Sequence, residues 1–198
     1  MEVKLMNSIN SVDEMEYNAA YAMLTCHANT DKLQSEGPAT FIKRAIKMGH
    51  ESILEHITLT FEVNDLSRAC LQELARHRHI SLSVESTRHT LRKQLENEEY
   101  VEALADKLMP CQRDLLYYFV RLAKISTYKD DTLKYYLPEF WPTNLVLTVN
   151  IRELRHILKL RTSPAALQEF QNLAHKLFEA VPEDYRYMLE DCIYHKEN

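Results

Sequence analysis

Glycine is almost missing from this chain: only Gly37 and Gly49 occur in 198 residues. The glycine-rich loops that cradle a pyrophosphate, G-x-G-x-x-G and G-x-x-x-x-G-K-[ST], are therefore absent. A nucleotide bound here must have its phosphates neutralised by side chains. Cysteine is sparse and scattered. Cys26, Cys70, Cys111 and Cys192 form no C-x-x-C, which excludes zinc ribbons and thioredoxin-like redox pairs. Long apolar runs and a signal-like N-terminus are lacking as well. The expectation is a cytoplasmic protein with reduced thiols and no membrane partner. Positive charge is not in excess either. The net charge is −5, so general binding to a nucleic acid backbone is disfavoured.

What is present is ordinary for a globular protein: 45% hydrophobic and 27% charged residues. The length suffices to bury a core without staples. No repeat or linker divides the chain, so residues 1–198 are read as a single domain. "ITLTFEVND" from Ile57 alternates apolar and polar residues, the period of a half-buried strand. "VKLMNSI" near Val3 is a second strand candidate, and between Ile80 and Ser86 the alternation of Ile80, Leu82 and Val84 with Ser81, Ser83 and Glu85 indicates an extended segment. Helical spacing accounts for most of the rest. "TFIKRAIKMGH" has Thr40 as cap and stops at Gly49. "NDLSRACLQELARHRH" starts at Asn64 or Asp65. A long helical stretch from Asn97 has a break at Pro110. "NLVLTVNIRELRHILKLRT" and "PAALQEFQNLAHKLFEAV" follow as helices, the latter with Pro164 in its first turn. The expected class is α+β (α/β): a small antiparallel sheet with a long helix bundle.

Bases concentrate where the chain as a whole is acidic. Residues 75–93, "ARHRHISLSVESTRHTLRK", hold four arginines and three histidines. On a helical wheel Leu66, Ala69, Cys70 and Leu74 form one stripe, and Glu73 and His77 fall inside it. A carboxylate and an imidazole on an apolar face need partners. An i, i+4 pair between them is one reading; Arg76 and Arg78 beside them ask for an acceptor from elsewhere. Arg161 likewise shares the face of Leu154, Ile157 and Leu158, while Arg152, Arg155, His156 and Lys159 lie opposite. A buried ion pair with a carboxylate such as Glu169, or bidentate recognition of an anion, both suit Arg161. Ser86, Thr87 and Arg88 offer hydroxyls, backbone N–H groups and a guanidinium, a phosphate grip that needs no glycine. "GHESILEH" from Gly49 is not H-E-x-x-H, and His27, His79, His175 and His195 show no metal spacing. No metal site is expected.

Arg76-His77-Arg78, seven residues, then Ser86 is R-H-R-x7-S. It resembles the signature of the flavin-dependent thymidylate synthases, the ThyX family. "GHESILEH" is similar to that family's H-x-[ST]-x-x-E-H segment, and "LP…TVNIREL…LKLR" to its C-terminal block. The resemblance implies reductive methylation of dUMP to dTMP without an enzyme nucleophile. Its implied cofactor is FAD, with NADPH as reductant and 5,10-methylenetetrahydrofolate as carbon donor. It implies a homotetramer with sites shared between subunits. Carried over by position, Arg76, His77, Arg78, Ser52, Asn150, Arg152 and His156 would hold FAD, with His50 beside the flavin. Glu73, Arg76, Glu85, Ser86, Thr87, Arg88, Lys134 and Arg161 would hold dUMP. Arg161 would face uracil nitrogen 3, favour its ionised form and so be the catalytic group. The chain departs from the family at Glu73 (usually Gln), at Ser83 and Val84 (Asn–Glu, with the carboxylate moved to Glu85), at His89 (Tyr), at His156 (Asn) and at Ala165 (His). Two other readings stand beside this one: a nucleic-acid-binding or regulatory module using residues 75–93, and a scaffold homologue without activity.

Overall fold

The computed structural model describes residues 1–26 and 28–194; His27 and His195 lie outside them. In chain order the main elements are β1 (Glu2–Leu5), α1 (Ile9–Thr25), α2 (Pro38–Lys47), β2 (Thr58–Ser67), α3 (Arg68–Leu74), β3 (Ile80–Val84), α4 (Thr87–Glu96), α5 (Glu98–Ala105), α6 (Pro110–Ile125), β4 (Pro142–Asn150), α7 (Ile151–Arg161) and α8 (Gln168–Ala180). Short turns of 3-10 helix connect them, among them Glu51–His56 and Glu183–Met188. The expected class holds: the strands form one small antiparallel sheet in the order β1-β2-β4-β3. β1 pairs with β2 in the register Val3↔Val63 and Leu5↔Phe61. None of the described helices is long and apolar enough to cross a membrane.

The chain forms two compact units. The first comprises Met1–Leu66, Cys70–Ser83 and Asn144–Asn198; the second comprises Ser67–Ala69 and Val84–Thr143. The first unit's core takes Leu59, Phe61 and Val63 from β2, Leu145, Leu147 and Val149 from β4, and the inner faces of α1, α2, α7 and α8. Each fully buried side chain of this size contributes about 1.5–3 kcal/mol. The second unit packs Leu91, Leu95, Val101, Leu104, Leu116 and Phe119 from α4, α5 and α6 around Trp141. The Phe119 and Trp141 rings meet edge to face at 6.0 Å.

Several boundaries differ from the sequence expectation. α3 does not start at Asn64 or Asp65, because those residues remain in β2. Asp65 has a positive φ of 64°, its N–H donates to Asn144 Oδ1 at 3.0 Å, and its carboxylate pairs with the terminal ammonium at 3.3 Å. α3 also ends at Leu74, so His77 lies beyond the helix and not on its stripe. Residues 142–150 are strand, not helix: Leu145, Leu147 and Val149 alternate into the core, and the helix begins only after Asn150. α2 is capped at Gly37, while the Thr40 hydroxyl donates to Glu36 O within the turn. α8 starts at Gln168, past Pro164. The break at Pro110 is observed, with the proline in the first turn of α6.

Candidate functional site

Two local devices place the first unit's site. α2 ends in a Schellman motif: Gly49 N–H donates to Ile46 O at 3.0 Å and His50 N–H to Ala45 O at 2.9 Å. Gly49 has φ +74°, a left-handed conformation that a Cβ disfavours. This turn delivers His50 and the segment Glu51–His56. At the other side, Asn150 caps α7, its Oδ1 accepting from Glu153 N–H at 2.8 Å. The cap fixes the first turn of α7, where Arg152, Glu153 and His156 project.

Glu51, Glu55, His79, Asn150, Arg152, Glu153, His156 and Lys159 line a cavity of about 510 Å³. Arg152 pairs with Glu55 and Lys159 with Glu51 at 3.6 Å. A neighbouring cavity takes Arg78, His79, Ser81 and Asn150. Donors from two strands and one helix thus gather without any glycine loop, as the composition required. The exposed Arg152–Glu55 pair is of the kind that contributes about 0–1 kcal/mol, so its guanidinium can exchange a carboxylate for a phosphate at little cost. This donor set fits a dinucleotide with a charged pyrophosphate. His50 and Ser52 are exposed on the turn that also carries Glu51 and Glu55.

Behind this cavity lies a partly buried polar cluster. His77 is 6% exposed. Its Nδ1 is 3.2 Å from Glu153 Oε1, and its Nε2 accepts from Arg161 Nε–H at 3.2 Å. Arg161 also donates to Glu73 Oε2 at 3.1 Å, and its guanidinium lies 4.6 Å over the Phe170 ring. Arg76 donates to the same Glu73 carboxylate at 3.3 Å. The i, i+4 pairing of Glu73 with His77 is thereby replaced: Glu73 meets two arginines, and His77 meets Glu153. Burial first, and the Arg161 charge in addition, lower the His77 pKa below its usual value, against the Glu153 hydrogen bond that raises it. Glu153, His77 and His156 present possible ligand atoms within 4.8 Å of one another. His77 is engaged at both ring nitrogens, by Glu153 and by the Arg161 guanidinium, and meets His156 only as a ring edge at 5.8 Å, an arrangement that leaves no free lone pair on His77 for a metal.

Arg155 belongs to a different arrangement. It is 1% exposed, not on a solvated face. It donates to Glu51 at 3.0 Å, to Asp191 at 2.6 and 2.7 Å and to Met188 O at 2.5 Å. Cys70, next to the Arg161 cluster, is buried, and burial above all pushes its thiol up to about 12. At neutral pH it is a protonated thiol and not a nucleophile.

The second unit carries the other predicted residues. Ser86 stands at the N-cap position of α4 with no hydrogen bond from its hydroxyl to the helix, and its carbonyl accepts from His89 N–H at 3.0 Å. Glu85 accepts from Gln94 at 2.9 Å. Arg88 and Lys134 converge on Asp131 at 2.9 and 3.5 Å. Arg88, Arg92, Lys129 and Tyr128 line a further cavity of about 470 Å³. Sequence reasoning missed Glu153, Glu51, Lys159 and Phe170. Glu153 sits three residues after an Asn cap, where an acidic residue is routine in any helix, so nothing local marked it.

Comparison with known proteins places the chain in a family. A family model described as "Thymidylate synthase complementing protein" matches residues 7–185. The flavin-dependent thymidylate synthase of Campylobacter jejuni (strain RM1221) is 40% identical over 171 residues, 76% of this chain and 78% of that one. That of Wolinella succinogenes is 37% identical over 185 residues, 85% and 90% of the two chains. Among solved structures, thymidylate synthase X from Helicobacter pylori with FAD and dUMP superposes with a TM-score of 0.85 at 34% identity, covering 98% of this chain and 100% of the other.

Proposed function

The chain belongs to the flavin-dependent thymidylate synthase family, and from that premise we propose how its residues divide the work. It is an FAD-dependent enzyme that reductively methylates dUMP to dTMP, with NADPH and 5,10-methylenetetrahydrofolate as co-substrates. The chemistry supplied by bound FAD is transfer of reducing equivalents from NADPH into the new methyl group. The nucleic-acid-binding reading is not favoured, since the relatives described above are enzymes of this family.

We assign FAD binding to Arg76, His77, Arg78, Asn150, Arg152 and His156, with Ser52 and His50 on the adjoining turn. The two cavities bordered by Arg78, Asn150, Arg152 and His156 support this. From the family resemblance we assign dUMP binding to Glu73, Arg76, Glu85, Ser86, Thr87, Arg88, Lys134 and Arg161. Arg88 and Lys134, which meet on the Asp131 carboxylate, support the part of this assignment that falls in the second unit.

Arg161 is the proposed catalytic group. Uracil carbon 5 must become nucleophilic to accept a one-carbon unit. A thiolate on carbon 6 is one route, but Cys70 is protonated at neutral pH. A fixed guanidinium beside nitrogen 3 favours the ionised ring and makes carbon 5 electron-rich. The observation that carries this reading is the restraint on Arg161. Glu73 and His77 hold it from two sides, Phe170 supports its face, and most of its N–H groups stay uncommitted. A contact of this kind is worth on the order of 3 kcal/mol in the transition state.

Residues 1–198 act as one functional domain in this proposal, since the family match runs through both units. Exposed Tyr118, Ile125 and Tyr135 suit burial between protomers of a homotetramer, and a cytoplasmic setting suits the free thiols. The deciding experiment is tritium release from 5-tritiated dUMP by the purified, yellow protein, dependent on NADPH and methylenetetrahydrofolate. A colourless protein that releases no tritium when FAD is added overturns the assignment.

A further inference from the structure

The contacts of His77 dictate where its proton sits. Arg161 is ionised at any working pH, so its Nε–H can only donate. The Nε2 of His77, 3.2 Å away, must therefore present a lone pair, and the ring proton belongs on Nδ1. Nδ1 faces Glu153 Oε1 at 3.2 Å, and an ionised carboxylate only accepts. Both demands select one tautomer. Glu153 is itself immobilised, 9% exposed in the first turn of α7 with its N–H tied to Asn150. No role in the assignments above falls to Glu153.

We propose that Glu153 is a positioning residue for Arg161, acting through the imidazole of His77. It holds His77 as the Nδ1–H tautomer, so that Nε2 receives the Arg161 Nε–H and the guanidinium keeps one orientation. The proposal rests on the catalytic assignment of Arg161. The other groups that face the ring are the Arg161 charge and His156 from α7 and Phe170 from α8. Glu73 restrains the far end of the guanidinium and Phe170 its face; among the described residues, His77 is the one that restrains Nε. Protonation of His77 would set an Nε2–H against an Nε–H and break that restraint. The relay therefore operates with the ring neutral, at pH above the lowered His77 pKa.

The test is side-chain 15N NMR of the holoenzyme together with steady-state kinetics. In the wild type, His77 is expected to show a protonated Nδ1 and an unprotonated Nε2. Glu153→Leu removes the acceptor; the tautomers should mix and kcat for dTMP formation should fall about 100-fold while FAD stays bound. Glu153→Gln retains an oxygen acceptor, so most of the rate should return. It also removes the interaction that raises the His77 pKa, so the acid limb of kcat should move to lower pH. A wild-type His77 protonated on Nε2, a Leu variant with wild-type kcat, or an unmoved acid limb in the Gln variant overturns the proposal. If Glu153→Leu does not fold, the wild-type tautomer and the Gln profile still decide it. Absence of flavin and of turnover in the wild type would instead sink the family-level assignment and leave the tautomer measurement standing.

Discussion

Arg155 and Arg161 sit on the same helix, in two regions built for different ends. Around Arg155, every N–H is committed: Glu51, Asp191 and the Met188 carbonyl take all of them, and its side chain is 2% exposed. Around Arg161, two hydrogen bonds fix the group and leave the remainder uncommitted, with the side chain 18% exposed. The first arrangement ties the C-terminal turns to α7 and has nothing left for a ligand. The second is strapped in place but unsaturated. A saturated guanidinium serves the fold alone; a restrained, unsaturated one keeps donors for something else, which is why the proposed catalytic role falls to Arg161.

That contrast can be broken by exchanging the expected phenotypes. The largest effect is expected for Arg155→Leu, which strands two carboxylates and a carbonyl. Loss of one partner of a buried pair costs about 3–5 kcal/mol, read from the urea midpoint of unfolding. Arg161→Ala should instead leave stability within about 1 kcal/mol of wild type and lower dTMP formation by about 100- to 1,000-fold, with most FAD retained. Normal turnover in that variant would remove Arg161 from the chemistry.

Acid sharpens the comparison. The Arg155 hydrogen bonds, above all, hold the Asp191 carboxyl below its usual range. A depressed carboxylate stabilises the fold above its unfolded pKa of about 3.9 and loses that contribution as pH falls through the lower native value. Urea midpoints followed downward from about pH 5 should show this loss in the wild type and a flatter profile in Arg155→Leu. The smallest effect is expected at Ser86 in the second unit. Its replacement by Ala should weaken dUMP binding by about 1 kcal/mol, seen by calorimetry, with turnover retained at saturating dUMP. Abolished turnover with intact dUMP binding would make Ser86 a nucleophile.

Much of the fold was legible where one period ran undisturbed. β2 and β3 followed from strict alternation, and the Pro110 break from its missing N–H. The failures fell at junctions. In "NLVLTVNIRELRHILKLRT" the alternation of Leu145, Leu147 and Val149 ran straight into a helical pattern, and the helix absorbed the strand. Asn150, a helix cap by composition, was the marker between them. At Asp65 a left-handed residue kept the chain extended where an Asn–Asp pair reads as a cap. The cluster was legible as anomaly: Glu73 and Arg161 are charges that share apolar helix faces, and such faces tolerate charge only with a partner; His77 proved to be buried just past the end of α3 and not on its stripe.

The amino-acid order by itself determined that any bound phosphate must meet side chains and not glycine loops, and that Arg161 shares an apolar helix face. Those conclusions need only local spacing and the cost of burying charge; the nucleotide roles of R-H-R and Ser86 came from the family resemblance. Which partner each charge received was decided by the tertiary structure, because Glu153 lies 76 residues from His77 and Glu73 lies 88 from Arg161. Separations of that size carry no local periodicity. Only the three-dimensional arrangement shows that one arginine has every N–H engaged within the fold while the other is held by two hydrogen bonds with N–H groups to spare.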